Sequence, residues 1–194
     1  VATGFGRTGT MFACEQAGVS PDFLCLSKGL TGGTMPLAAT ITTAEVYNSF
    51  LGDPDGGKTF YHGHTYTANP VGCAAALASL DLLEEEEAVD RVARLAPRLA
   101  EGARALAELP LVGDVRGIGM VAALELVRDK GTKEALPGTA SVFHEIRREG
   151  LRRGLFLRPL GNVVYLFLPE AVTRVDLDDI LDRFSGVLHS VLKS

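Results

Sequence analysis

A lysine, two arginines and a Gly-His-Thr segment are the residues of this sequence best placed to do chemistry. Lys28 follows the apolar run Phe23-Leu24-Cys25-Leu26 and Ser27, and it precedes Gly29. That order predicts an amine at the end of a buried strand, opening a Gly-rich loop. Burial disfavours the ammonium, and the neutral amine is the form that attacks a carbonyl to make a Schiff base. The alternative for a strand-end lysine is a stem laid along apolar surface with its head in water. Gly4-Phe5-Gly6-Arg7-Thr8-Gly9 matches the GxGxxG pattern of dinucleotide-binding turns, but that fingerprint wants an acidic residue about 20 positions on, and Asp22 comes too early. The same string also reads as a Gly-rich turn that presents Arg7, whose planar fork suits a carboxylate or a phosphate.

Further along, Gly63-His64-Thr65 stands ahead of Asn69-Pro70. A hydroxyl beside a glycine and before a helix N-terminus is a reasonable phosphate ligand, the alternative being a simple turn residue. His62 and His64 form an HxH pair, yet two nitrogens without a third ligand make a poor zinc site, so no metal is expected. Arg158 ends an apolar stretch before Pro159, where it could face a substrate or join a surface ion pair.

These residues need elements to hold them. Residues 23–27 and 36–41 read as short buried strands bounded by Gly or Pro, with the loop 28–33 between them. Thr42 and Glu45 form a plausible capping box for a short helix ending at Gly52. Asn69-Pro70 opens a helix, since Asn caps free N–H groups and Pro suits the first turn. From Val71 to Leu83 nearly every residue is Ala, Leu, Val or Cys, which predicts a helix buried on most sides. Glu84 to Glu87 mark a solvated junction, and a second, amphipathic helix runs to about Leu109 with a kink at Pro97. Beyond Pro110, residues 121–127 and 163–168 read as strands and 140–153 and 176–192 as helices, the last behind an Asp176 cap. His144 and His189 fall on these helices as surface or packing residues. The pattern predicts an α/β unit over 1–109 and a smaller α+β unit over 110–194.

Composition narrows the class. The 194 residues are 46% hydrophobic with a net charge of -5, which excludes a disordered chain. A pI near 5.4 argues against nucleic-acid binding, because phosphate neutralisation needs a basic face. No apolar run reaches the roughly 18 residues that span a bilayer. Three cysteines without metal spacing favour a reducing, cytoplasmic setting.

The strings TGFGRTGTMFACEQAGVSPDFLCLSKGLTGGTMPLAAT and FYHGHTYTANPVGCAAALASLDLL resemble class III aminotransferases dependent on pyridoxal phosphate. CLSKGLTGG, HGHTYT and RPLGNVVYL are similar, more narrowly, to the members that aminate 8-amino-7-oxononanoate to 7,8-diaminononanoate in biotin synthesis. The resemblance implies fold type I, with the chain supplying the second part of the large domain and the small C-terminal domain. It implies that Lys28 carries the cofactor, that His64 and Thr65 lie by the cofactor of the neighbouring subunit of a homodimer with Thr65 at the phosphate, and that Gly63 belongs to the same segment. Arg158 matches the arginine that holds the substrate carboxylate, Tyr165 lies seven residues on, and Arg7 matches an active-site arginine that handles substrate. Many relatives carry Pro where His64 stands. The amino donor implied is S-adenosylmethionine, with lysine as the variant. An ornithine, acetylornithine or 4-aminobutyrate aminotransferase is the competing assignment, and a non-catalytic fragment is another. The family's acidic partner for the pyridine nitrogen falls just before Val1, so the chain is expected to be a fragment that binds cofactor poorly by itself.

Overall fold

The computed structural model describes residues 1–192. By their contacts they form two compact units, one of Val1–Gly6 with Thr10–Val89 and one of Arg7–Gly9 with the chain from Asp90 onward.

In the first unit, β1 (Phe23–Leu26) pairs antiparallel with β2 (Ala39–Thr42) in a two-stranded sheet. A single 3-10 turn, Lys28–Thr31, follows β1. Two short helices, α1 (Ala13–Gln16) and α2 (Ala44–Asn48), precede the long α3 (Pro70–Glu85). The strand expected to be buried is mostly exposed, because β1 has one neighbour and only its Leu26 end enters the cluster of Phe5, Leu30 and Ala76. The helix expected to be buried on most sides also differs. Only Gly72 and Ala76 of α3 are buried, against Leu37 and the Lys28–Thr31 turn, while Val71, Leu77 and Leu82 stand 57–63% exposed. The cap of α2 lies one residue later than expected: the Thr43 side chain accepts the Val46 N–H, and the helix ends at Asn48.

The second unit has an antiparallel sheet around β4 (Val121–Asp129), flanked by β3 (Val112–Ile118) and β6 (Val163–Phe167), with the short β5 (Glu134–Ala135) at the far end of β4. Helices α4 (Ala88–Ala105), α5 (Thr139–Arg152) and α6 (Arg174–Val191) complete it. Burial in β4 and β6 alternates with the period of 2 that a half-buried strand requires, so Ala122, Leu124 and Leu126 meet Val164 and Leu166 in one core with Leu99, Leu177 and Phe184. Here α6 starts from Thr173, whose hydroxyl accepts the Asp176 N–H while Asp176 accepts the Thr173 N–H. Asp176 is thus the third residue of a capping box and not the cap itself. Strand β3, absent from the expectation, contains Gly113 and Gly117, two residues that weaken an apolar alternation. No helix among the described residues is long and apolar enough to cross a membrane.

Candidate active site

Lys28 opens its 3-10 turn with φ +53, a left-handed backbone that costs a side-chain-bearing residue about 1–2 kcal/mol. The turn is held from below. Ser27 Oγ donates to the Leu37 carbonyl at 2.8 Å, Thr31 Oγ1 donates to that of Met35 at 2.6 Å, and the Gly33 N–H reaches back to the Lys28 carbonyl at 3.1 Å. Gly29 lies so close to the buried Phe5 ring that a Cβ there would stand 2.9 Å from Cδ2. Phe5, itself at φ +60, meets Phe12 edge to face. Lys28 is exposed at the apex, in place of the buried position expected of it. The sparse cover of the hairpin leaves the ammonium solvated.

The segment from Gly63 to Thr65 is exposed and folds on itself: the His64 N–H donates to Thr67 Oγ1 at 3.0 Å, and the Thr67 N–H donates to the His64 carbonyl at 2.9 Å. His64 Nδ1 accepts the Tyr66 N–H at 3.2 Å, which places the proton of a neutral ring on Nε2. The Thr65 hydroxyl has no hydrogen-bond partner among the described residues, and a Cβ on Gly63 would meet only Thr67 Oγ1, at 3.7 Å. Packing within the chain therefore explains neither residue. The N-terminus of α3 is fully satisfied. Asn69 Oδ1 accepts from Val71 and Gly72, Cys73 N–H donates to the Asn69 carbonyl, and Pro70 has no N–H. The start of α3 therefore offers no free N–H to a phosphate.

In the second unit, Arg158 and Tyr165 line one pocket of about 180 Å³ with Phe156, Phe167, Leu168 and Ile180. Arg158 is exposed and makes no ion pair among the described residues, so its guanidinium is open to an anion. Tyr165 and Phe167 point to the same face of β6, opposite the buried Val164 and Leu166.

Arg7 is differently placed. Its Nη1 donates to the Leu168 carbonyl, its guanidinium lies 4.5 Å over the Phe167 ring, and its Nε is 3.1 Å from Glu170 Oε1. That last approach is close enough for charge attraction but off the line of a hydrogen bond, so the buried Nε–H has no hydrogen-bond acceptor. Burial pulls the Arg7 pKa below its ordinary value while the Glu170 charge pushes it back. The GxGxxG string sits in turns followed by the four-residue α1, not by the long helix whose N-terminus receives the pyrophosphate in a dinucleotide site.

Sequence reasoning missed the residues that hold these side chains: Phe5 beneath Gly29, and Glu170, Gly119 and Met120 around Arg7. The lone signal for the last group was a glycine between Ile118 and Met120, the mark of a tight turn. No group of three or more His, Cys, Asp or Glu side chains among the described residues could hold a metal ion.

The class-III aminotransferase family model matches residues 1–188. The chain belongs to the class-III aminotransferases. The class-III chain is 50% identical over 191 residues to the adenosylmethionine-8-amino-7-oxononanoate aminotransferase of Geobacter sulfurreducens, covering 98% of its own length and 42% of that relative. It is 46% identical over 193 residues to the enzyme of the same name from Aquifex aeolicus, covering 43% of it. Among solved structures, the Methanocaldococcus jannaschii enzyme of that name superposes with a TM-score of 0.90 at 42% identity, over 97% of this chain and 44% of that one. An amine transaminase from an uncultivated Pseudomonas species, in its PLP-bound form, superposes at 0.91 with 36% identity, over 97% and 43%. This class-III chain thus has the α/β architecture of the transaminases and spans less than half the length of the curated relatives it matches.

Proposed function

We propose that this chain carries the lysine and the substrate-carboxylate residues of an adenosylmethionine-8-amino-7-oxononanoate aminotransferase. In this reading the reaction moves an amino group from S-adenosylmethionine to the ketone of 8-amino-7-oxononanoate, giving 7,8-diaminononanoate. The observation that carries it is Lys28, a side-chain-bearing residue in the left-handed region, exposed at the apex of a turn braced by Ser27, Gly29 and Thr31. Strain of this kind gathers where a backbone must aim one side chain.

The residues present fit pyridoxal phosphate: an exposed primary amine for its carbonyl carbon, and at Thr65 an unpartnered hydroxyl on an exposed turn for its phosphate. When bound, that group supplies the electron sink. Lys28 Nζ would hold it and, when freed by the incoming amine, would carry the proton between the donor carbon and the cofactor carbon, the same transfer running in reverse on the acceptor in the amination half. Thr65 would anchor the phosphate of the cofactor held in the neighbouring subunit of the homodimer, with the His64 backbone beside it and Gly63 allowing close approach. Arg158 pairs with the substrate carboxylate, and Tyr165 packs against its chain in the same pocket. Arg7 joins substrate handling only if a substrate carboxylate displaces Glu170.

The functional protein is a cytoplasmic homodimer in this proposal. The exposed aromatic residues Tyr61 and Tyr66 around the Gly63–Thr65 segment, and the three free cysteines, support that setting. Residues 1–109 are assigned to the large domain with its connecting helices and 110–194 to the small domain.

The test is a coupled pair of half-reactions in a protein of the relatives' length that carries these residues. S-adenosylmethionine should convert the bound cofactor to its amino form, and 8-amino-7-oxononanoate should convert it back. Conversion by lysine instead of S-adenosylmethionine changes the donor and leaves the rest of the proposal standing. Reversal by 2-oxoglutarate and not by the oxononanoate assigns the chain to the ornithine or 4-aminobutyrate type.

A further inference from the structure

We propose that His64 and Thr67 are positioning residues for Thr65: the His64 ring nitrogen Nδ1 and the Thr67 hydroxyl fold the turn that holds the Thr65 hydroxyl free for an anion, and neither side chain touches that anion itself. The proposal rests on the reading of Thr65 as a phosphate ligand given above, and it assigns roles to the His64 ring and to Thr67.

From Gly63 to Asn69 the chain joins no helix or strand, so its backbone bonds are made one at a time. Four are made within the segment, two of them to side chains. The His64 N–H donates to Thr67 Oγ1 at 3.0 Å, and the Tyr66 N–H donates to His64 Nδ1 at 3.2 Å. The Thr67 N–H donates to the His64 carbonyl at 2.9 Å, and the Asn69 N–H donates to the Tyr66 carbonyl at 3.2 Å. His64 takes part in three of these bonds. Its ring acts as an Asn or Asp side chain does in a turn, accepting the N–H two residues on. Its own N–H is spent on Thr67 and is not left for a phosphate. Across residues 64–67, Thr65 is the exception: neither its N–H nor its hydroxyl has a partner among the described residues.

Both ends of the turn are set. The Thr67 hydroxyl lies near Gly63, where a Cβ would stand 3.7 Å from Oγ1. Ala68 holds φ +55, a left-handed backbone that side-chain-bearing residues rarely adopt, and it leads directly into Asn69, the cap of α3. Residues 63–68 are all exposed. Folding them serves no apolar core, so the bonds of His64 and Thr67 add little to the stability of the unit. They do prefold a turn that presents one hydroxyl, and a prefolded turn avoids the entropy of ordering when the anion arrives.

The experiment uses a protein of the relatives' length carrying these residues, freed of cofactor, and titrates it with two probes: pyridoxal phosphate, and pyridoxal, which has the aldehyde but no phosphate. The ratio of the two affinities isolates the grip on the phosphate. Thr65→Val should lower this ratio and reports on the underlying reading. His64→Leu, which removes the ring acceptor, should lower it about fivefold, the weight of one net hydrogen bond. His64→Asn, whose Oδ1 can accept the same Tyr66 N–H, should restore it. Thr67→Val removes the hydroxyl at nearly constant shape and should act as His64→Leu does, with Thr67→Ser restoring the ratio. Thermal unfolding midpoints of these variants should stay near that of the unsubstituted protein. If His64→Leu does not fold, the two Thr67 variants carry the test. A ratio unchanged in His64→Leu or in Thr67→Val, beside a lowered ratio in Thr65→Val, overturns the positioning roles alone. An unchanged ratio in Thr65→Val overturns the phosphate reading beneath them. A loss in His64→Leu that His64→Asn does not restore gives the ring a direct place at the phosphate and also overturns the proposal.

Discussion

From Val92 to Leu192, 23 buried apolar side chains from sheet and helices close on one another, whereas the buried cluster of the unit that carries Lys28 is Phe5, Leu26, Leu30 and Ala76. The first arrangement is a core of ordinary size, in which Leu124, Leu126 and Phe184 are fully buried. The second braces one turn. Around it Phe60, Tyr61, Tyr66, Val71 and Leu77 stand more than 60% exposed. The difference separates two tasks. The second unit shapes and stabilises a pocket from its own residues, while the first presents the Lys28 amine and the Gly63–Thr65 turn on a surface that its own residues leave open.

Truncation in the two units should expose this contrast most strongly. Leu124→Ala is expected to destabilise by about 2–5 kcal/mol, the cost of a cavity in a packed core. Leu77→Ala, on a 63% exposed position, should stay within about 0.5 kcal/mol. Denaturant unfolding of the two variants checks both, and equal costs would erase the distinction between the units.

Glycines sharpen the same comparison. Gly119→Ala should cost about 2 kcal/mol or more, because left-handed strain adds to a collision with the Thr8 backbone. Gly33→Ala, also left-handed at φ +80 but with nothing within 4 Å of a new Cβ, should cost about 1 kcal/mol. Thermal unfolding distinguishes them.

A smaller effect is expected at the start of α6, where Thr173→Ala removes half of a capping box and should cost about 1 kcal/mol. Smaller still is a pH effect in the second unit. Hydrogen bonds from Arg98 and Arg174 hold the Asp178 carboxyl below its ordinary pKa, and the Thr173 hydroxyl and backbone do the same for Asp176. A depressed carboxylate contributes stability that is fully present above the unfolded pKa and is lost as pH falls through the folded one. Unfolding midpoints of the second unit's core should therefore fall below about pH 4, the unfolded pKa of Asp, and Asp178→Asn should flatten that slope.

Much of the second unit was legible because its elements carry their own periodicity. Alternation in 121–127 and 163–168 and the helical spacing of Leu177, Ile180, Leu181 and Phe184 name their own core. Strand β3 escaped because Gly113 and Gly117 interrupt its pattern. Both caps were misplaced by hydroxyl-bearing neighbours: Thr42 and Thr43 are adjacent, and Thr173 stands where the box requires it while Asp176 reads as a cap by itself. In the first unit composition misled. An apolar sequence such as Val71 to Leu83 announces that it is buried somewhere, but burial is settled by neighbours, and in this structure they cover only the Gly72–Ala76 side.

Site residues divide the same way. Lys28, Thr65 and Arg158 are marked by local context, a strand end, a glycine neighbour and a following proline. The partners of Arg7 lie 113 to 163 positions away, at Met120, Leu168 and Glu170, and no local pattern joins them.

The central claim is that Lys28 is the amine that holds pyridoxal phosphate. Borohydride reduction of the cofactor-loaded protein, in a chain of the relatives' length carrying these residues, followed by peptide mapping, reads it directly. The account predicts a reduced pyridoxyl group on the peptide containing Lys28 and none after Lys28→Ala. A label on Lys58, Lys130 or Lys133, or one that survives Lys28→Ala, would contradict it.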